Sequence, residues 1–145
     1  MITHIARPIQ ILLIEDNPGD VRLTREALME AKIFNHLSVV IDGIEAIKYL
    51  QQEDEYLKVP IPDIILLDLN LPKMDGREVL QKIKTSSVLS NIPVIILTSS
   101  DNDADILKSQ ELGANFYLTK PVSLDTFLDI IKEFDQFWIC FVKLD

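Results

Sequence analysis

Several short apolar runs in this sequence end at residues that can do chemistry. Asp68 is the clearest case, because it directly follows the most apolar run of the chain, IILL at 64–67. The polar residues found at the ends of such runs are Glu15, Asp16, Asp68, Thr98 and Lys120. The carboxyl ends of parallel strands meet at one edge of a sheet, where open α/β sheets bind their ligands. If the runs are parallel strands, these five side chains therefore converge.

Three carboxylates and one ammonium group in a single cleft are suited to phosphoryl transfer. Neighbouring carboxylates raise one another's pKa unless positive charge is present. Lys120 supplies one charge, and Mg²⁺ suits a site with two or three carboxylate oxygens because it retains several waters and accepts phosphate oxygens. A carboxylate can act as the nucleophile that becomes an aspartyl-phosphate. Lys120, the metal and the Thr98 hydroxyl would then stabilise charge on the transferring group.

Three of these residues, taken alone, also have an ordinary structural interpretation. Asp16 is typical of a helix cap or turn, Thr98 of a strand end, and Lys120 of a solvated surface charge. Asp68 fits such an interpretation less well, because an apolar run leads directly into it. The placement of all five at one predicted edge favours a functional site.

Five apolar runs predict the strands of the sheet. They cover residues 9–14, 37–41, 64–67, 94–97 and 116–118. The first, third and fourth runs are continuous and rich in Ile, Val and Leu, which is typical of strands buried on both faces of a parallel sheet.

Segments with helical spacing follow the strands. The predicted helices cover 20–31, 43–51, a segment that begins just after Asp75, 104–112 with Gly113 as its C-cap, and a segment that begins after the N-cap Ser123. Asp75 and Glu78 have the spacing of a capping box. In the second helix, Ile44, Ile47 and Leu50 share one predicted face.

The alternation of strand and helix, five times over, predicts right-handed βαβ crossovers and a doubly wound α/β fold. The 145 residues are enough for one domain whose core needs neither disulfides nor a structural metal. No linker, repeat or low-complexity segment interrupts the pattern. We therefore expect a single domain over residues 1–145.

The composition argues against several classes of function. A formal net charge of -9 disfavours binding to a phosphate backbone, so nucleic acid is not an expected partner. The single cysteine, Cys140, cannot form an internal disulfide, and with His4 and His36 it forms no zinc pattern. The first residues lack the apolar core of a signal peptide, and no apolar run approaches the ~20 residues of a membrane helix. We expect a cytoplasmic protein without a membrane partner.

Taken together, these motifs resemble the receiver domain of response regulators in two-component signalling. The matching stretches are LLIEDNP with Glu15 and Asp16, ILLDLNLPKMDG with Asp68, VIILTSS with Thr98, and GANFYLTKP with Tyr117, Lys120 and Pro121. The resemblance covers the chain almost end to end. It implies a flavodoxin-like parallel sheet of order 2-1-3-4-5 with five helices. It also implies a domain core at about residues 9–136, followed by an apolar C-terminal tail at 137–145.

The resemblance implies a role for each matching residue of the site. Asp68 would accept a phosphoryl group from a phosphohistidine on a sensor histidine kinase. Asp16, Asp68 and the backbone carbonyl of Asn70 would hold Mg²⁺, or Mn²⁺ in its place, and Glu15 would help through a water. Lys120 would pair with Asp68 and afterwards with the phosphate.

The resemblance also implies a switch at the end of the sheet. Thr98 would move to bond a phosphoryl oxygen, and Tyr117 would swing inward into the space that Thr98 leaves, so that a local change in charge biases two states. The Lys120–Pro121 peptide bond would be cis. Such a domain is a phosphoryl acceptor rather than a classical enzyme. If it also dephosphorylates itself, Asn70 and Ser100 would influence the lifetime of the phosphate.

Finer features resemble the single-domain regulators of cyanobacterial phytochromes. They are the extended segment before the third strand, the stretch LNLPKMDGREVL and the tail FDQFWICFVKLD. We therefore expect a phytochrome kinase as phosphoryl donor. Because no output domain follows in this sequence, the expected output is contact with a downstream protein of unknown identity.

The apolar tail predicts an oligomer. Its apolar residues at 137–139 and 141–142 are too consecutive to share one helical face, so part of them needs another cover. We expect a homodimer formed through the fourth helix, the fifth strand, the fifth helix and this tail. In the other interpretation, Phe134, Phe137 and Trp138 complete the core side of the last helix.

Three rival functions come from other classes. A phosphatase resembling the haloacid dehalogenases needs a second acid two positions after its nucleophile, where this chain has Asn70. A flavodoxin-type FMN carrier needs hydroxyls and backbone N–H groups after the first strand, where the carboxylates of EDNPGD would repel phosphate. A pseudo-receiver, acting as a binding module without phosphorylation, stays open although every phosphorylation residue is present.

Overall fold

The computed structural model describes residues 8–31, 34–98, 113–114 and 116–133. The strands are β1 (Ile9–Ile14), β2 (Asn35–Val40), β3 (Ile64–Asp68), β4 (Val94–Thr98) and β5 (Phe116–Thr119). The helices are α1 (Pro18–Ala31), α2 (Gly43–Leu50), α3 (Gly76–Thr85) and α4 (Leu124–Glu133), with a short 3-10 helix at Asp54–Tyr56. The helix predicted at 104–112 and the tail predicted at 137–145 lie outside the described residues.

All five strands run parallel in one sheet of order β2-β1-β3-β4-β5. This order confirms the predicted flavodoxin-like, doubly wound α/β fold. In the register, Asp68 of β3 lies beside Leu97 of β4, and Thr98 lies beside Thr119 of β5. The strands therefore end in a row, which is where the sequence predicted the polar cluster.

Alternation along the central strands divides the apolar side chains between two cores. On β1, Ile11 and Leu13 face the core shared with α1 and α4, whereas Leu12 and Ile14 face the core shared with α2 and α3. Every residue of β3 is buried, because the sheet is covered by helices on both sides. Continuous apolar runs are the direct consequence of this double burial.

Local signals placed the starts of two helices correctly. Asp75 is the N-cap of α3, and its side chain accepts a hydrogen bond of 2.7 Å from the Arg77 N–H. α4 begins immediately after Ser123, whose carbonyl accepts from the Phe127 N–H at 2.9 Å. Gly113 has a φ of 95°, the left-handed conformation that favours glycine, although the helix it was predicted to cap lies outside the described residues.

Two expectations about β2 and α2 were wrong. Strand β2 begins at Asn35 and ends at Val40, and Ile41, predicted to belong to it, is 61% exposed. On α2 the buried face consists of Gly43, Ala46, Tyr49 and Leu50, whereas Ile44 is exposed. β2 is an edge strand, so periodicity alone locates its ends poorly.

None of the helices in the described part of the chain is both long and apolar enough to cross a membrane.

Candidate functional site

Asp68 is the last residue of β3 and is almost fully buried, with 4% of its surface exposed. Its Oδ1 accepts a hydrogen bond of 2.9 Å from the Asn70 backbone N–H. Its Oδ2 accepts one of 2.9 Å from the Lys120 ammonium. Charge-assisted bonds of this kind stabilise and orient a buried carboxylate. The apolar strand thus ends in an oriented pair of carboxylate oxygens.

The chain after Asp68 turns back tightly against the strand end, and Gly76 makes this approach possible. The Gly76 N–H donates to the Leu69 carbonyl at 3.0 Å. A Cβ on Gly76 would lie 2.5 Å from the Asp68 carbonyl oxygen and 2.6 Å from the Leu69 Cα. Both are backbone atoms that cannot swing away, so this loop requires glycine.

Glu15 follows β1 and has no exposed surface. Its Oε1 lies 2.6 Å from the Lys120 Nζ, and its Oε2 accepts a bond of 3.3 Å from the Asn17 N–H. Burial and a hydrogen bond with Asp68 raise the pKa of Glu15 to about 7, although Lys120 acts in the opposite direction. The neighbouring Asp16 is exposed. Glu15 is therefore a buried carboxyl whose charged form solvent does not stabilise.

Lys120 is the positive centre of the cluster. Its Nζ lies 2.6 Å from Glu15, 2.9 Å from Asp68 and 3.0 Å from Asp20. Burial disfavours the ammonium charge, but the hydrogen bonds with these three carboxylates outweigh burial and raise the pKa of Lys120. Its backbone N–H donates to the Thr98 carbonyl at 2.7 Å, and its bond to Pro121 is cis, as the resemblance implied.

Thr98 and Tyr117 lie on the neighbouring strands of this edge. Thr98 ends β4 and is 6% exposed. Tyr117 lies in β5 opposite Ile96, is partly buried, and packs against the core shared with α2 and α3. Its hydroxyl oxygen is buried, and burial raises the pKa of the phenol. Ser100, which was expected near the same edge, lies outside the described residues.

The acidic side chains of the cluster fit a divalent cation. One carboxylate oxygen from each of Glu15, Asp16 and Asp68 lies within 4.8 Å of the others. Two opposite ligands of Mg²⁺ are about 4.2 Å apart, since each bond is 2.0–2.1 Å long. Small side-chain rotations would therefore close the set around Mg²⁺, and all of these donors are the hard oxygens that this cation prefers.

Comparison with known proteins gives the family. Residues 11–132 match the family model of the response regulator receiver domain. The chain belongs to this family. The receiver domain is 45% identical over 137 residues to the response regulator Rcp1 of Synechocystis sp., covering 94% of this chain and 93% of that protein.

Two solved structures show the same likeness. The phosphorylated cyanobacterial phytochrome response regulator RcpA is 46% identical, with a TM-score of 0.77, over 92% of this chain and 95% of that one. The Mn²⁺-bound form of Rcp1 is 45% identical, with a TM-score of 0.75, over 95% of this chain and 99% of that one. This receiver domain therefore has relatives associated with phytochromes.

Among the residues that the structure describes, sequence reasoning missed Asp20, which belongs to the receiver's cluster. It lies in the first turn of α1, and its Oδ2 accepts a 3.0 Å hydrogen bond from Lys120, 100 positions further along the chain. An acid in the first turn of a helix is readily explained by the helix dipole. Nothing in the local pattern indicates that this acid points toward a lysine after β5.

Proposed function

We propose that this receiver domain, over residues 1–145, is a phosphoacceptor response regulator in which Asp68 accepts a phosphoryl group from a sensor histidine kinase in the presence of Mg²⁺. The observation that carries the proposal is the contact of Lys120 with Asp68 and Glu15 at the carboxyl edge of the sheet. An oriented carboxylate beside a fixed ammonium and further acidic donors is the arrangement that phosphoryl transfer to aspartate requires.

In the proposed transfer, an Asp68 carboxylate oxygen attacks the phosphorus of a phosphohistidine. The new O–P bond forms as the P–N bond breaks, and the imidazole keeps the electron pair of the broken bond. Lys120, 2.9 Å from Asp68, is placed to offset the negative charge that arrives. The Thr98 hydroxyl would bond a phosphoryl oxygen, and Tyr117 would move inward. These movements would change the protein surface beside β4 and β5.

Glu15, Asp16, Asp68 and the backbone carbonyl of Asn70 would hold the cation, with Mn²⁺ able to replace Mg²⁺. The Mn²⁺-bound structure of Rcp1 supports this assignment. The bound cation supplies positive charge that offsets the phosphoryl oxygens. Glu15, with its raised pKa, must give up its proton before it can support the cation.

The likeness to Rcp1 and RcpA supports a phytochrome kinase as phosphoryl donor. Signalling would then proceed in the cytoplasm through contact with a downstream protein. A receiver of this kind is not a classical enzyme, and any loss of its phosphate would occur by self-hydrolysis influenced by Asn70 and Ser100.

The test of the proposed function is the intact mass of the protein after incubation with phosphoramidate or acetyl phosphate and Mg²⁺. We expect one phosphoryl adduct that is labile to hydroxylamine and absent without the cation. Asp68→Asn should remove the adduct, whereas Asp129→Asn, which changes an exposed carboxylate on α4, should retain it. A wild-type chain that takes up no phosphate from small donors or from a cognate phytochrome kinase would refute the proposal in favour of a phosphate-independent binding module.

We further propose a homodimer formed through the region 104–112, β5, α4 and the apolar tail. Much of this surface lies outside the described residues, so the proposal rests on the sequence pattern. Sedimentation at several concentrations, with and without phosphorylation, tests it. A monomer mass that is independent of concentration in both states would remove it.

A further inference from the structure

The ammonium of Lys120 has as many carboxylate contacts as it has N–H groups. An ammonium carries three donors, and Lys120 lies within hydrogen-bond distance of Glu15, Asp20 and Asp68. Two of these partners, Glu15 and Asp68, also belong to the group of acids that can close around a cation. Lys120 and a cation therefore draw on the same carboxylates.

Asp20 differs from the other two partners of Lys120. It is outside the group of acids that can close around a cation, and its side chain is 30% exposed, whereas those of Glu15 and Asp68 are 0% and 6% exposed. It is also held in place. Its backbone N–H donates to the Asn17 Oδ1 at 3.1 Å, and the Asn17 carbonyl accepts from the Val21 N–H at 3.0 Å, which fixes the first turn of α1.

We propose that Asp20 is a positioning residue that retains Lys120 in the cleft when a cation and a phosphoryl group engage Glu15 and Asp68. This inference rests on the proposed function, because it assumes that those two acids turn to the cation. With Asp20 in place, the Lys120 ammonium keeps one charge-assisted bond throughout and stays beside Asp68. Without Asp20, every carboxylate that contacts the ammonium would be one that the cation also engages.

The test is the rate at which Lys120 reacts with an amine-modifying reagent, measured by peptide mass spectrometry with and without saturating Mg²⁺. In the wild type, Lys120 should be protected in both conditions. In Asp20→Asn, we expect protection without Mg²⁺ to stay within about threefold of wild type, since Glu15 and Asp68 still bind the ammonium. With Mg²⁺, its labelling should become at least about tenfold faster, because one charge-assisted bond accounts for roughly this factor.

Two further variants separate positioning from a general effect of charge. Asp20→Glu keeps a carboxylate that can reach Lys120 and should restore most of the protection. Glu26→Gln removes a negative charge from the same helix, where Glu26 pairs with the exposed Arg22, and should behave as wild type. A helix-dipole role for Asp20 would change α1 stability without any Mg²⁺-dependent change in Lys120 labelling.

Two results would overturn the inference. One is labelling of Lys120 in Asp20→Asn that is no faster than in wild type at saturating Mg²⁺. The other is an equal loss of protection with and without Mg²⁺, which would make Asp20 a general structural contact. The labelling experiment needs no phosphoryl donor, so a failure of Asp68 to take up phosphate would refute the proposed function separately.

Discussion

The strongest energetic prediction concerns Lys120→Met, which keeps the length of the side chain and removes its charge. The change leaves Glu15 and Asp68 buried side by side without the ammonium that now lies 2.6 Å and 2.9 Å from them. Removal of one partner from a buried ion pair ordinarily costs about 3–5 kcal/mol, because the remaining charge is uncompensated. We therefore expect a large loss in the free energy of unfolding at alkaline pH.

The loss should depend on pH, because Glu15 can take up a proton instead. Its pKa in the folded protein is already about 7, against an ordinary value of 4.5, and removal of Lys120 raises it further. A carboxyl with a raised folded pKa contributes stability that is complete below its unfolded pKa and is lost as pH rises through its folded pKa. The cost of Lys120→Met should thus grow from about 1 kcal/mol near pH 5 to about 3–4 kcal/mol near pH 8.5.

Urea unfolding at these two pH values, with and without Mg²⁺, measures the effect. Mg²⁺ should recover a substantial part of the loss at the higher pH, since the cation replaces the missing positive charge. Lys48→Met is the matched control, because Lys48 is partly exposed and its 3.8 Å contact with Asp54 is worth only about 0–1 kcal/mol. A Lys120→Met variant whose destabilisation is equal at both pH values, or equal to that of Lys48→Met, would refute this account of the cluster.

Three further predictions test other parts of the fold and site. Gly76→Ala should lower the free energy of unfolding by at least about 2 kcal/mol in urea titrations, because its Cβ would meet the Asp68 carbonyl oxygen at 2.5 Å; a neutral effect would contradict the tight loop. The Tyr56 hydroxyl donates a 2.6 Å hydrogen bond to Glu45, and this bond raises the pKa of Tyr56. Tyr56→Phe removes the bond and should lower the free energy of unfolding by about 1.5–3 kcal/mol in the same assay. Binding of Mg²⁺ below about pH 7 should release a proton from Glu15, so that affinity rises with pH up to that value. Calorimetry in buffers of different ionisation enthalpy detects the proton, and Glu15→Gln should abolish its release; equal release from this variant would assign the proton to another group.

The amino-acid sequence by itself determined the fold and most of the candidate cluster. Strands buried on both faces are continuously apolar, so β1, β3 and β4 were recognisable from their unbroken apolar runs. Parallel strands end at a common edge, so the polar residues after them could be brought together without coordinates. The start of α3 could also be predicted from nearby residues, because the N-cap Asp75 accepts a hydrogen bond from a backbone N–H two residues away.

Other features were decided only by the tertiary structure, because they depend on contacts between distant parts of the chain. Asp20 contacts Lys120, which lies 100 positions further along the chain, and no periodicity in the sequence predicts this contact. Gly76 is required by the close approach of the backbone after Asp68, which the residue type alone does not reveal. Ile44 lies on a helix with an apolar pattern, yet it is exposed because neighbouring α3 covers a different face of α2. Local patterns specify what an element is, whereas packing specifies which of its side chains meet.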